Sequence, residues 1–199
     1  MPPRSGSDVP DRASVVLIAS SAGGIGALEI LLSGLEPPLP VPVLAAQHLR
    51  RSRETDIVDI LSRSTRLTVK LAEDGESTRP GTVYIAPPDH HLCVETTGEL
   101  ALSQGGPVNY ARPAADPLFE SAVRAYGPRV IACVLTGFDG DGAEGVAAVK
   151  ARGGTVIVQD PKSAEFRGMP EAAIDTGLAD FVLDLDDIAP TIERLLRAG

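Results

Sequence analysis

The sequence predicts an α/β fold: a doubly wound, mainly parallel sheet flanked by helices, Rossmann-like in layout, with an antiparallel hairpin insertion. Short β-branched apolar runs alternate with stretches of helical period, the rhythm of βαβ units around a buried parallel sheet. Between Leu67 and Gln104 that rhythm breaks into four shorter segments separated by Gly, Pro and Asp.

The elements follow in chain order. Residues 1–12, "MPPRSGSDVPDR", lack periodic apolar positions and are expected to form a flexible tail. Residues 13–199 are expected to form one domain without an internal linker or repeat. "SVVLIAS" reads as a strand leading into the helix "GALEILLSGL", and "VPVLAAQHL" as a strand leading into "ETDIVDILSRS". The segments "LTVKLAE", "TVYIAPP", "HLCVET" and "ELALSQ" form the predicted antiparallel insertion. "RVIACVLTG" then precedes the helical "GAEGVAAVKARG", and "GTVIVQD" and "ADFVLDL" add two further strands, each with a helix nearby.

Composition excludes several functions. The chain has 199 residues, 43% of them hydrophobic, which is enough to bury a full core. With 18 basic against 27 acidic residues its net charge is -9, so counterion release from a phosphate backbone is no source of affinity and nucleic acid is not an expected partner. No apolar stretch approaches the roughly 18 residues of a membrane span, and the N-terminus lacks a signal-peptide core, so no membrane insertion and a cytoplasmic location are expected. Cys93 and Cys133 lie in apolar runs and are expected to be free, packed thiols.

Ligands of open α/β sheets sit beyond the carboxyl ends of the strands, and three strand ends carry reactive side chains: "IASSAGG", "AAQHL" and "LTGFDGDG". Gly23, Gly24 and Gly26 do not have dinucleotide-fingerprint spacing, the second strand ends in Gln47-His48 rather than an acid, and no Gly-Lys-Ser/Thr follows. A nucleophile elbow fits better, since Ala19 lies two before and Gly23 two after Ser21, whereas centring it on Ser20 places Ile18 and Ala22 there. Ser21 is the candidate nucleophile and Ser20 its structural neighbour. Backbone N–H groups at the start of the following helix are expected to face an oxyanion there.

Serine needs a base, and His48 closes the second strand of the unit that Ser21 opens. His90 and His91 fall in the Pro-rich turn "PPDHHLCV", a weak metal site that lacks further ligands at a telling spacing. Asp139, Asp141 and Glu144 are the candidate carboxylates. An EF-hand loop starting at Asp139 would need Gly where Glu144 stands and Glu where Lys150 stands. A serine hydrolase is the reading these residues favour, with a binding module that performs no chemistry as its alternative.

These blocks resemble the catalytic domain of chemotaxis receptor methylesterases of the CheB type, from about Val15 to the last helix. "IASSAGG" is similar to the family's "IGASTGG", Gln47-His48 to its "QH", and "LTGFDGDGA" to its "LTGMGxDGA"; "VYIAPPDHHL", "RPAADPLFESA" and "VIVQDPKSAEFRGMPEAAI" resemble further segments near the site. The resemblance implies a catalytic Ser21, His48 and Asp141, and hydrolysis of γ-glutamyl methyl esters on methylated chemoreceptors through an acyl-enzyme, with no metal and no organic cofactor. It also implies deamidation of selected glutamines as a related activity. Ala22, Gly23, Gly24 and Phe138 fall in the substrate and oxyanion vicinity. Ala19, Ala22 and Phe138 stand where the family has Gly, Thr and Met, so a hydroxyl after the nucleophile is lost and Phe138 is expected to narrow the cleft or alter packing on the imidazole. Those departures also admit an alternative, a non-catalytic module that keeps the fold and binds a receptor or signalling partner. The family's receiver domain has no counterpart in the sequence, so control is expected from a separately encoded receiver or regulator.

Overall fold

A computed structural model describes residues 14–49 and 55–198; the predicted tail, residues 1–12, lies outside them. The central strand β1 (Val15–Ser20) is buried at every position because it is covered on both faces. Its side chains alternate between two cores, with Val15, Leu17 and Ala19 entering one and Val16 and Ile18 the other. Helix α1 (Gly24–Ser33) buries Ala27, Leu28, Leu31 and Leu32, an apolar stripe at helical spacing.

The next elements are β2 (Val43–Gln47), α2 (Ile57–Ser62), β3 (Thr68–Leu71), β4 (Thr82–Ile85), β5 (His91–Val94) and β6 (Leu100–Ser103). They are followed by α3 (Ala115–Tyr126), β7 (Val130–Val134), α4 (Ala143–Ala151), β8 (Thr155–Gln159), α5 (Gly168–Asp175), β9 (Phe181–Leu183) and α6 (Leu185–Ala198). Seven strands form one sheet in the order β3-β4-β2-β1-β7-β8-β9, with every pairing parallel. Helices α1, α2 and α6 pack on one face, while α3, α4, α5 and the β5–β6 hairpin pack on the other. Among the described residues no helix is long and apolar enough to cross a membrane.

The parallel sheet, its flanking helices and an antiparallel hairpin agree with the sequence expectation, but the insertion is smaller than predicted. Only "HLCVET" and "ELALSQ" pair antiparallel, as β5 and β6. "LTVKLAE" and "TVYIAPP" instead supply β3 and β4, parallel strands of the main sheet. The segment between them is long enough to carry the chain back along the sheet, and on its way it pairs with the hairpin through a Ser77–Glu99 bridge. Gly75 N–H also donates to the Leu100 carbonyl at 2.8 Å. The Gly and Pro punctuation marked a loop correctly, but it did not set strand direction.

Cys133 on β7 is fully buried, and burial pushes its thiol up to about 12. Cys93 departs from the expectation of two packed thiols, because it lies half-buried on the two-stranded hairpin.

Helices α3 and α4 approach closely at Gly145, where an added Cβ would lie 2.6 Å from the Cβ of the fully buried Phe119. Phe119→Ala is therefore expected to destabilise the fold by about 3–5 kcal/mol, because a close-packed contact cannot collapse onto the vacated ring volume. A denaturant midpoint unchanged from wild type would show that this layer is not packed as described.

Candidate active site

The sheet order turns outward in both directions from β1 and β7, and the candidate residues gather beyond the carboxyl ends there. Parallel register sets Ser20 beside Gln47, so the residues that follow, Ser21 and His48, leave adjacent strands side by side. His48 N–H donates to the Ser20 carbonyl at 3.0 Å, and Ser21 N–H donates to the Thr136 carbonyl at 3.0 Å. The nucleophile candidate is thus held between the two strands that flank β1.

Ser20 points into the protein, where it is fully buried and its hydroxyl donates to Gln47 Oε1 at 2.7 Å. Gln47 Nε2 then donates to the Ser21 carbonyl at 2.8 Å and to the His48 carbonyl at 3.0 Å, tying both backbones together. Thr136 and Gln159 act similarly on the other side: Thr136 N–H donates to Gln159 Oε1 at 2.9 Å, and Thr136 Oγ1 donates to the Ala22 carbonyl at 3.0 Å. Both glutamines end their strands and are buried, and each holds the neighbouring turns through its carboxamide.

The turn uses the glycine that the elbow spacing placed two residues after Ser21. The left-handed residue is Gly23, with φ 72, and Ser21 has no positive φ. Gly23 ends the turn as the cap of α1, so the sharp change of direction falls two residues after the serine and needs glycine there. Gly24 is required for another reason, because a Cβ there would collide with Gln47 Oε1 and lie 2.8 Å from Ser20 Cβ.

His48 Nε2 lies 2.7 Å from Asp141 Oδ2. Asp141 is fully buried, and its Oδ2 also accepts the Ala115 N–H at 2.5 Å. Its Oδ1 accepts Asn109 Nδ2 at 3.2 Å and the Asp116 N–H at 3.3 Å. Burial alone would raise this carboxyl, but the His48 ring, the Ala115 N–H and Asn109 hold it below its ordinary value. An ionised Asp141 accepts the Nε2 proton, which leaves Nδ1 as the lone-pair nitrogen of the neutral ring. Asp139 Oδ2 lies 3.6 Å from that Nδ1, so it flanks the ring from its more exposed side. Of the three candidate carboxylates, Asp141 and Asp139 meet His48, and Glu144 lies in the first turn of α4.

Among the described residues no acceptor takes the N–H of Ala22 or Phe138, and none partners the Ser21 hydroxyl. Phe138 is 74% exposed and rests on Phe166, with ring centroids 5.3 Å apart. A surface pocket of about 220 Å³ is lined by this pair together with Glu165, Arg167 and Gly168.

The other two histidines do not join the site. His91 opens β5 and is buried; its Nδ1 accepts the Ala114 N–H at 3.2 Å and its Nε2 donates to the Gly106 carbonyl at 3.0 Å. His90 keeps its Nδ1 3.0 Å from the Pro88 carbonyl in the preceding turn. No group of three or more His, Cys, Asp or Glu among the described residues could hold a metal ion. Sequence reasoning gave no role to Gln47, Thr136, Asp116 or Gln159, although each lies in a segment it singled out, and it missed Asn109, which lies in the irregular "GGPVNYARP", where neither periodicity nor a motif marks it.

A sequence model of the CheB methylesterase family matches residues 16–192. The chain is 41% identical over 196 residues to protein-glutamate methylesterase/protein-glutamine glutaminase 2 of Caulobacter vibrioides, covering 96% of this chain and 56% of that protein. It is 38% identical to a putative protein of the same description from Leptospira interrogans, covering 90% of this chain and 93% of the relative. The chain spans about half the length of several curated relatives it matches, including those of Caulobacter and Paramagnetospirillum magneticum. The crystal structure of the Thermotoga maritima CheB methylesterase catalytic domain superposes with a TM-score of 0.87 at 36% identity, covering 94% of this chain and 99% of that one. The matched region spans every strand that brings Ser21, His48 and Asp141 together, and by that match the chain belongs to the CheB methylesterase family.

Proposed function

We propose that the protein is a protein-glutamate methylesterase that hydrolyses γ-glutamyl methyl esters on methylated chemoreceptors through Ser21, His48 and Asp141. The observation that carries this reading is the buried Asp141 carboxylate 2.7 Å from His48 Nε2, on the strand end beside Ser21. In the proposed sequence, Ser21 Oγ attacks the ester carbonyl while His48 Nδ1 takes its proton. The same nitrogen then returns the proton to the departing methoxide, giving methanol and an acyl-serine. Water, deprotonated by His48, hydrolyses that intermediate to free glutamate and restores Ser21.

The unpartnered Ala22 and Phe138 N–H groups are suited to receive the oxyanion, and the change to Ala22 leaves its N–H in place. Catalytic hydrogen bonds commonly close only when substrate arrives, which accommodates the unengaged Ser21 hydroxyl. Deamidation of a glutamine side chain would follow the same route with ammonia leaving. A cytoplasmic location and control by a separately encoded receiver belong to the same reading.

Incubation of a methylated receptor peptide with the protein is expected to remove about 14 Da per site, and a serine-directed phosphonate is expected to label the peptide containing Ser21. Intact-mass and peptide-mass measurement check both. An unmodified receptor peptide together with no label on Ser21 would favour the non-catalytic module.

A further inference from the structure

The hydrogen bonds to Asp141 do not end at the three proposed catalytic residues. Asn109 Nδ2 lies 3.2 Å from Asp141 Oδ1 and 2.9 Å from Asp116 Oδ2, so one amide nitrogen spans two carboxylates. Because both neighbours are acceptors, the NH2 side of the amide must face them. Asp116 is itself 3% exposed, and its Oδ1 accepts the Gly145 N–H at 2.7 Å. It is thereby fixed to the first turns of both α3 and α4.

The loop that delivers Asn109 is a tight turn closed by Val108 N–H to the Ala111 carbonyl at 3.0 Å and the reciprocal bond at 2.9 Å. Its two central residues, Asn109 and Tyr110, have φ of 49 and 62. Asparagine tolerates that conformation, whereas tyrosine adopts it at a cost, and Tyr110 is fully exposed and makes no compensating packing contact. The turn geometry is therefore maintained by its backbone bonds and by the amide clamp on the two carboxylates.

We infer that Asn109 and Asp116 are positioning residues for the Asp141–His48 pair, with Asp116 orienting the Asn109 amide and contributing a second negative charge behind Asp141. This rests on the role proposed above for His48. A protonated Asp116 can donate its hydroxyl to the Asn109 oxygen, which favours the flipped amide and opposes the preference of Asp141 Oδ1 for the NH2 side; an ionised Asp116 adds to that preference instead. Burial pushes the Asp116 carboxyl up to about 6, with the Gly145 N–H opposing the rise and the Asp141 charge adding to it. The charge behind Asp141 therefore changes within the range where histidines titrate.

The groups facing Asp116 are few. Asp141 and Glu144 approach from the loop and the first turn of α4, His48 lies beyond Asp141, and His91 of β5 sits against the start of α3. β1 and β2 contribute no ionisable side chain, and Cys133 of β7 lies in the opposite core.

The test is an NMR titration of the His48 ring in wild type, Asp116→Asn and Asn109→Ala, with the signal assigned by its loss in His48→Ala. Removing the Asp116 charge disfavours the imidazolium, so the His48 midpoint is expected to fall by roughly 0.5 to 1.5 pH units, the scale of one nearby charge at an effective dielectric constant of about 20 to 60. A folded Asp116→Asn protein with the wild-type midpoint would overturn the inference. Should that variant not fold, the wild-type ring must show a second inflection that coincides with the Asp116 carboxyl carbon titration, and a simple one-proton curve would overturn it equally. For Asn109→Ala, kcat is expected to fall about 10- to 100-fold with KM changed less than about threefold. A loss confined to KM would contradict positioning. A wild-type protein with no esterase activity would remove the functional reading, while the ring titrations, which need no substrate, would still decide this one.

Discussion

Ser21→Ala is expected to lower turnover of a methylated glutamyl peptide by roughly 10⁴ to 10⁶, and His48→Ala by a similar factor, with the double variant little worse than either. The non-additivity follows from the chemistry, since a nucleophile without its base and a base without its nucleophile fail at the same step. What remains is binding and oxyanion stabilisation by backbone N–H groups, which neither substitution removes. Ser20→Ala is the discriminating control. Its hydroxyl donates to Gln47 Oε1 in the interior, so its loss leaves a buried acceptor unpaired and costs about 1–3 kcal/mol of stability. Activity of the folded Ser20→Ala protein is expected within about tenfold of wild type. If Ser20→Ala were inactive while Ser21→Ala kept its rate, the nucleophile would have been placed one residue too late. Rates on one defined peptide, with fold checked by circular dichroism, distinguish these outcomes.

Asp141→Asn is expected to lower kcat by about 10⁴. All four hydrogen bonds to this side chain come from donors: the His48 ring, the Ala115 and Asp116 N–H groups and Asn109. An asparagine has one acceptor oxygen, so in either orientation its NH2 faces two of those donors. If the NH2 turns to His48, it donates to Nε2 and drives the ring proton to Nδ1, the nitrogen that must accept from Ser21. If it turns the other way, it meets Asn109 and the α3 N-terminus unpaired. Asp139→Asn is expected to cost far less, because its contact to Nδ1 is long, 3.6 Å, and its side chain is 39% exposed. Equal losses from the two substitutions would show that Asp139 shares the orienting role, and a larger loss from Asp139→Asn would move the role there.

Asp141 also affects stability. Because its folded pKa is lowered, its favourable contribution is present above the unfolded carboxyl value of about 3.9 and is lost as pH falls through the folded value. The wild-type thermal midpoint is thus expected to fall more steeply in acid than that of Asp141→Asn. Asp116 works in the opposite direction, since its raised pKa favours the folded state at low pH and that contribution is lost as pH rises through about 6.

Much of the architecture was legible in the order of the residues. Buried parallel strands such as "VVLIAS" and "VIACV" must be apolar on both faces, and amphipathic helices must carry an apolar stripe, so β1, β2, β7 and their helices show in the pattern itself. The reactive side chains were legible for a related reason, because ligands collect where such strands end and few polar residues occur there. β3 and β4 were harder. Their short runs carry composition and turn signals but no information on direction, and only the partner strand decides whether a segment pairs parallel or antiparallel.

The sequence by itself determined the α/β class, the two-sided burial of the sheet, and Ser21, His48 and a choice of carboxylates, Asp139, Asp141 and Glu144, at its strand ends. These follow from local chemistry: side-chain period, turn residues and the few groups able to act as nucleophile, base and acid; only the resemblance to the family singles out Asp141 among the carboxylates. The tertiary structure alone decided which imidazole nitrogen meets Asp141, that the left-handed turn falls at Gly23, and that Gln47, Asn109 and Asp116 hold the site together. Each of those depends on the distance between side chains far apart in the chain, as with Asn109 and Asp141, 32 residues apart and joined by a 3.2 Å bond. Hydrogen bonding falls off within a few tenths of an ångström, and that precision is set by the packed sheet and helices rather than by sequence spacing.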